Sequence, residues 1–280
     1  MAVAAGAPHD RLPRGKRALT RAILFDMDGV LYNSDTPIPG AAEALAWLRA
    51  QAIPHLFVTN TTSRSRSVLV EKLARFGIPA VPSQILTPCV AASAWLRERD
   101  ARRVAVFVPP KTRCEFDGID CLPDDAESGA DHVVIGDLGE RWDFRALNRA
   151  FRLLHHNPEA TFLALGMTRF WQAQDGVALD VAPFVAALSH ATGREPVVFG
   201  KPTAHFFHAA AGQLGLPASQ ILMVGDDVVT DIGGAQLAGL RGVLVKTGKF
   251  RPSDLEAEVK PDWVLDSVAD LPEFYLHLGW

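Results

Sequence analysis

Cysteine is scarce in this chain: Cys89, Cys114 and Cys121 are three among 280 residues, an odd number without C-x-x-C spacing. That argues against a disulfide framework and leaves free thiols. The nine histidines form no H-x-H or H-E-x-x-H pattern, which argues against zinc. No apolar run approaches the length that spans a bilayer. Positive charge is not in excess either. The formal net charge of -4 implies no general attraction to nucleic acid or to an anionic membrane. Internal repeats and low-complexity segments are lacking.

What is present describes a globular protein, with 48% hydrophobic and 21% charged residues. A chain of 280 residues allows one large or two ordinary domains. Residues 1–20 begin Ala- and Gly-rich, and the basic residues Arg11, Arg14, Lys16 and Arg17 follow. That order does not suit a secretory signal, so these residues read as a flexible tail and the protein as cytoplasmic.

Strand-like and helix-like segments then alternate, the rhythm of an α/β fold with a doubly wound, Rossmann-like parallel sheet. Ala22-Ile23-Leu24-Phe25 reads as a buried parallel strand and ends in Asp26-Met27-Asp28-Gly29. If that strand continued, Asp26 and Asp28 would share one face as a like-charged pair. Such a pair beside an apolar strand calls for a divalent cation or a shared proton. His55-Leu56-Phe57-Val58 ends in Thr59-Asn60, Val197-Val198-Phe199 leads into Gly200-Lys201-Pro202, and Ile221-Leu222-Met223-Val224 ends in Gly225-Asp226-Asp227. Helices are predicted over Ala41–Gln51, Arg64–Phe76, Phe144–His155, Val181–Thr192, Ala204–Leu214 and Asp231–Ala238. A strand over Trp263–Leu265 is expected at a sheet edge.

In a parallel sheet the four polar strand ends open on one edge. Together they hold carboxylates for a hard cation, hydroxyl and amide donors, and one point cation. Phosphoryl transfer asks for those parts: a nucleophile, charge neutralisation, and donors around the equatorial oxygens. Each part has a plainer use. Thr59-Asn60-Thr61 suits a helix N-cap, Lys201 a solvated loop, and Asp231 the first turn of a helix.

At these residues the chain resembles the haloacid dehalogenase superfamily of phosphatases. Asp26-Met27-Asp28-Gly29-Val30 looks like its first motif, Thr59-Asn60 its second, Lys201 its third, and Gly225-Asp226-Asp227 through Asp231 its fourth. The 141 positions between Asn60 and Lys201 match the subgroup with a large α/β cap inserted after the second motif. The resemblance implies a catalytic core over 21–87 and 193–280 and a cap over 88–192. The likeness also takes in Asp175-Gly176 and Thr247-Gly248-Lys249-Phe250-Arg251.

The resemblance also implies roles. Asp26 would be nucleophile and magnesium ligand. Asp28 would be general acid/base, with its backbone carbonyl on the metal. Thr59 and the Asn60 backbone would hold phosphoryl oxygens, and Lys201 would neutralise the nucleophile and the transferring group. Asp226 would complete the protein ligands to Mg2+, with Asp227 and Asp231 orienting metal-bound waters or neighbouring groups. In the cap, Arg169 is a candidate for substrate contact, and Phe170 and Trp171 suit either a substrate slot or buried core. The activity implied is magnesium-dependent hydrolysis of a small phosphorylated substrate through an aspartyl-phosphate, with pyrophosphate and phosphoamino acids among the substrates. Two rivals stand beside it: a phosphotransferase or mutase using the same Asp, and a weakly active binding or regulatory protein that keeps the fold. A homodimer through the cap is compatible with the sequence.

Overall fold

The computed structural model describes residues 20–173 and 176–277. The expected tail, apart from Thr20, and Asp175 lie outside the described residues.

Six parallel strands form the larger sheet. From one edge to the other they run Trp263–Leu265, Arg241–Val245, Ile221–Gly225, Ala22–Asp26, His55–Val58 and Ile85–Leu86. Chain order therefore reverses direction between Ala22–Asp26 and Ile221–Gly225, which lie side by side with Phe25 opposite Val224. A crevice opens at such a switch point, outside the carboxyl ends of the strands.

Alternation along the central strand explains its complete burial. Ala22 and Leu24 join one apolar cluster, with Phe206, Phe207 and Met223, while Ile23 and Phe25 join another, with Leu45, Phe57 and Val243. Both faces of the strand are covered, so an uninterrupted apolar run is required.

A smaller parallel sheet orders Val197–Val198, Thr161–Ala164, His132–Ile135 and Val104–Phe107. Helices Phe144–His156 and Val181–Thr192 cover one of its faces. Its other face, through Val104, Val106, Val134 and Leu163, shares a cluster with the larger sheet. Helix Pro88–Glu98, capped by Thr87 and opened by Pro88, packs on helix Ala204–Leu214 within that cluster.

Two expectations are corrected. Val197–Val198 belongs to the smaller sheet, where it pairs with Leu163 and Ala164, so Lys201 does not follow a strand of the larger one. The smaller sheet accordingly extends to Val198. This pair of residues is half-buried, as suits an edge strand, and lacks the full burial of the central strands. The helix expected from Asp231 starts earlier, as a wide turn over Val228–Gly233 that runs into Gly234–Leu237. Asp227 starts it by accepting from the Val229 and Thr230 N–H groups at 3.0 and 2.9 Å.

Candidate active site

Asp26 is the last residue of the central strand, and Asp226 immediately follows its neighbour Ile221–Gly225. Both stand at the switch point, and both are buried. Asp231 comes back beside them because the wide turn folds its side chain against Gly225: a Cβ added there would lie 2.3 Å from the Asp231 Cβ. Asp26, Asp226 and Asp231 each offer a carboxylate oxygen, and all three atoms lie within 4.8 Å of one another.

Lys201 Nζ donates to Asp26 Oδ1 and to Asp231 Oδ1, both at 2.6 Å. Burial alone would pull its ammonium down. The Asp231 and Asp26 carboxylates outweigh that effect and hold it above the usual lysine range. Burial, with Asp26 and Asp231 nearby, pushes the Asp226 carboxyl up to about 7. Burial likewise raises Asp231 to about 6, against the pull of Lys201.

Three carboxylates thus face one ammonium, which leaves uncompensated negative charge in a buried place. Asp226 Oδ1 is buried and accepts no hydrogen bond from any described residue. A hard divalent cation fits both observations, since it supplies positive charge and a partner for that oxygen.

Asp28 stands apart from this cluster. The strand stops at Asp26, Gly29 turns the chain at φ +94°, and the exposed Asp28 accepts from the Ser34 N–H at 3.1 Å. The expectation that Asp26 and Asp28 share one strand face is therefore corrected: extended backbone ends between them. A short hairpin, Tyr32–Asn33 with Thr36–Pro37, holds the segment.

Thr59 and Asn60 follow their strand as expected and are half-buried. The Thr59 hydroxyl accepts from the Thr61 N–H at 3.3 Å, so its own proton is available to another acceptor. The Asn60 side chain is engaged with the Lys201 backbone in both directions. Asp227 caps its turn and lies 3.8 Å from Lys249 Nζ. Arg169 is exposed in the cap, its carbonyl accepting from the Asp180 N–H. Phe170 and Trp171, 57% and 47% exposed, are not core; they form one strand of a hairpin with Gly176–Leu179.

The cap meets the core beside Asn60. Thr62 Oγ1 accepts from the Asp137 N–H at 3.1 Å. A Cβ added to Gly200 would lie 3.2 Å from Asn60 Oδ1 and 3.2 Å from the Leu165 carbonyl.

One further segment of the site carries no signal in its spacing. The loop after Arg241–Val245 packs Gly248 against Gly29 and donates the Lys249 N–H to Asp226 Oδ2 at 2.7 Å. Only the place of that strand beside Ile221–Gly225 brings the loop there.

Residues 23–121 match the family model for haloacid dehalogenase-like hydrolases, and residues 198–271 match a second model of HAD-like hydrolases. The phospholysine phosphohistidine inorganic pyrophosphate phosphatase of Homo sapiens is 38% identical over 270 residues, covering 94% of this chain and 97% of that protein. Haloacid dehalogenase-like hydrolase domain-containing protein 2 of Bos taurus is 39% identical over 246 residues, covering 88% and 91%. Among solved structures, the p-nitrophenyl phosphatase from Archaeoglobus fulgidus aligns with a TM-score of 0.83 at 29% identity, covering 91% of this chain and 99% of that one. With two family models on the two parts of the core and relatives aligned nearly end to end, the chain belongs to the haloacid dehalogenase-like hydrolases.

Proposed function

We propose that this hydrolase is a magnesium-dependent phosphatase that transfers the phosphoryl group of a small substrate to Asp26 and then to water. One observation carries the reading: the carboxylates of Asp26, Asp226 and Asp231 converge around Lys201 at the sheet's switch point. Asp26, Asp226 and the Asp28 carbonyl would hold Mg2+, which supplies charge neutralisation and polarisation of a phosphoryl oxygen when bound.

In the first half-reaction an Asp26 oxygen forms a bond to phosphorus while the bond to the leaving oxygen breaks. Asp28 gives that oxygen a proton, and its exposed place beside Ser34 leaves it accessible to a substrate. In the second half-reaction Asp28 takes a proton from water as its oxygen attacks phosphorus, and Asp26 is released with orthophosphate. Lys201 orients Asp26 and offsets charge on the transferring group. The Thr59 hydroxyl and the Asn60 backbone N–H serve as phosphoryl donors; the Asn60 amide is already committed to Lys201.

Contacts of Thr62 with Asp137 and of Gly200 with Leu165 support a cap seated over the site, where it excludes bulk water. Arg169, exposed in the cap, is assigned to substrate contact. The names of the relatives extend the substrate range to inorganic pyrophosphate and N-phosphorylated amino acids. Among the described residues no helix is long and apolar enough to cross a membrane. The reading is of a cytoplasmic enzyme that acts on a small molecule.

The test is hydrolysis of p-nitrophenyl phosphate with magnesium and with chelator, beside Asp26→Asn. Activity is expected only for the wild type with magnesium. Equal rates for Asp26→Asn, or no activity across a broad phosphoester panel, would overturn the proposal.

A further inference from the structure

Lys72, on helix Arg66–Arg75, keeps its charged end out of water: the side chain is only 6% exposed. A helix lysine ordinarily lays its stem on apolar surface and leaves the ammonium in solvent. Here Nζ lies 4.1 Å from the centre of the Tyr32 ring and 3.6 Å from Asp35 Oδ1. Among the described residues it forms no other ion pair. Burial, with Arg64 nearby, holds the ammonium below the usual lysine range, against the pull of Asp35 and Asp28. A charge in such a place is costly, and an apolar side chain would fill the same space without that cost.

Both contacts of the ammonium fall on the hairpin Tyr32–Asn33 with Thr36–Pro37, one before Ser34 and one after it. The same hairpin supports Asp28 at two points. The Tyr32 carbonyl accepts from the Gly29 N–H at 2.7 Å, which fixes the residue after Asp28. The Ser34 N–H donates to Asp28 Oδ1 at 3.1 Å. Ser34 reaches that position with φ +51°, a left-handed backbone that costs a residue with a Cβ about 1–2 kcal/mol. One ammonium therefore grips residues 32 and 35, and the supports of Asp28 come from residues 32 and 34.

We propose that Lys72 is a positioning residue for Asp28: it clamps Tyr32 and Asp35 so that the hairpin aims Asp28 at the leaving-group oxygen. The assignment rests on the phosphatase reading, in which Asp28 protonates that oxygen as its bond to phosphorus breaks. Lys72 touches neither substrate nor phosphorus and acts only through the hairpin.

Phenyl phosphate and p-nitrophenyl phosphate test the clamp, because they differ by one nitro group. Nitrophenolate departs readily without a proton, whereas phenolate needs one from Asp28. Their kcat/KM values report the first half-reaction alone, since departure of the phenol precedes attack by water. A shift of about 1 Å costs on the order of 100-fold, so Lys72→Met should raise the preference for the nitrophenyl ester by about tenfold or more. Lys72→Arg retains a cation for the ring and for Asp35 and should restore part of the wild-type ratio. Equal losses on both esters, or an unchanged ratio, would overturn the assignment.

Amide hydrogen exchange followed by NMR tests the clamp without turnover. In Lys72→Met the Gly29 and Ser34 amides should exchange about tenfold faster relative to those of Leu24 and Met223 in the central strands, which report opening of the whole fold. Parallel acceleration of all four would mean a general loss of stability and would sink the clamp. Wild-type inactivity toward both esters defeats the phosphatase reading instead, and the exchange rates still decide whether Lys72 holds the hairpin.

Discussion

Asn60 and Lys201 exchange two hydrogen bonds across 141 positions of sequence: Asn60 Nδ2 donates to the Lys201 carbonyl at 3.0 Å, and the Lys201 N–H donates to Asn60 Oδ1 at 2.8 Å. One amide thereby satisfies both backbone groups of the residue that binds Asp26. The strand before Lys201 belongs to the other sheet, so this bridge ties the lysine to the core edge.

Asn60→Ala removes both bonds. Each is worth about 0.5–1.5 kcal/mol net, so a stability loss of about 1–3 kcal/mol is expected in urea unfolding. Displacing Nζ by even about 1 Å should lower kcat by about 100-fold. Asn60→Asp keeps an acceptor but sets a carboxylate against the Lys201 carbonyl, so it should not rescue. A wild-type kcat for Asn60→Ala would show that the ion pairs alone position the lysine.

The acidic half of the site was legible because it sits where apolar runs stop. Burial on both faces demands Ala22–Phe25 and Ile221–Val224, and the first polar residues after them mark the edge where a ligand binds. Lys201 was legible by residue type and order but not by strand, since Val197–Val198 looks alike in either sheet. The separation of Asp28 from Asp26 follows from the Gly29 turn, which alternation does not encode. The hairpin Phe170–Ala173 with Gly176–Leu179 is not legible because Phe170, Trp171, Val177 and Leu179 are exposed, so no buried face imposes a pattern on them. Contacts such as Lys249 with Asp226 depend on strand order, which only the folded sheet supplies.

Metal-free protein should lose stability as pH rises toward 7. Burial, then the nearby Asp26 and Asp231 carboxylates, raise Asp226 to about 7 in the fold, against roughly 3.9 when unfolded. Between those values the native state holds more protons than the unfolded one. Its contribution is therefore complete below about pH 4 and lost as pH climbs through 7. Asp226→Asn should flatten this slope in urea midpoints collected from pH 5 to 8. Mg2+ at about 100 times its Kd should add about 2.7 kcal/mol to the wild type and little to the variant. A slope unaltered by Asp226→Asn would assign the effect to other groups.

Gly29 and Gly248 enclose the Asp226 carboxylate from two loops. A Cβ on Gly29 would lie 2.0 Å from Asp226 Oδ2, and one on Gly248 would lie 2.1 Å from it. Both residues also have positive φ, +94° and +61°. Gly29→Ala and Gly248→Ala must therefore displace Asp226 and bear a backbone cost of about 1–2 kcal/mol besides. Each should abolish the stabilisation by Mg2+ measured in thermal unfolding. Retention of that stabilisation in both variants would mean that Asp226 tolerates displacement and is not a required ligand.

Glu115 joins the cap to the start of a core helix. Its Oε1 accepts from the Arg66 N–H at 3.0 Å and its Oε2 from Arg66 Nε at 2.8 Å, and Glu115 itself is buried. Arg66 opens helix Arg66–Arg75, whose N-cap Ser65 pairs its hydroxyl with that of Ser67 and caps none of the helix N–H groups, so Glu115 takes the place of a local cap. The Arg66 side chain is 31% exposed, which lets water solvate it when the pair is broken. Glu115→Ala is therefore expected to cost about 3 kcal/mol, at the lower end for a buried pair. Glu115→Gln keeps one acceptor for the helix N–H and should recover part of that. Arg66→Ala retains the backbone bond and should cost less than Glu115→Ala, while the double variant should cost less than the sum of the two. Additive losses in urea unfolding would show that the Glu115 and Arg66 side chains act separately.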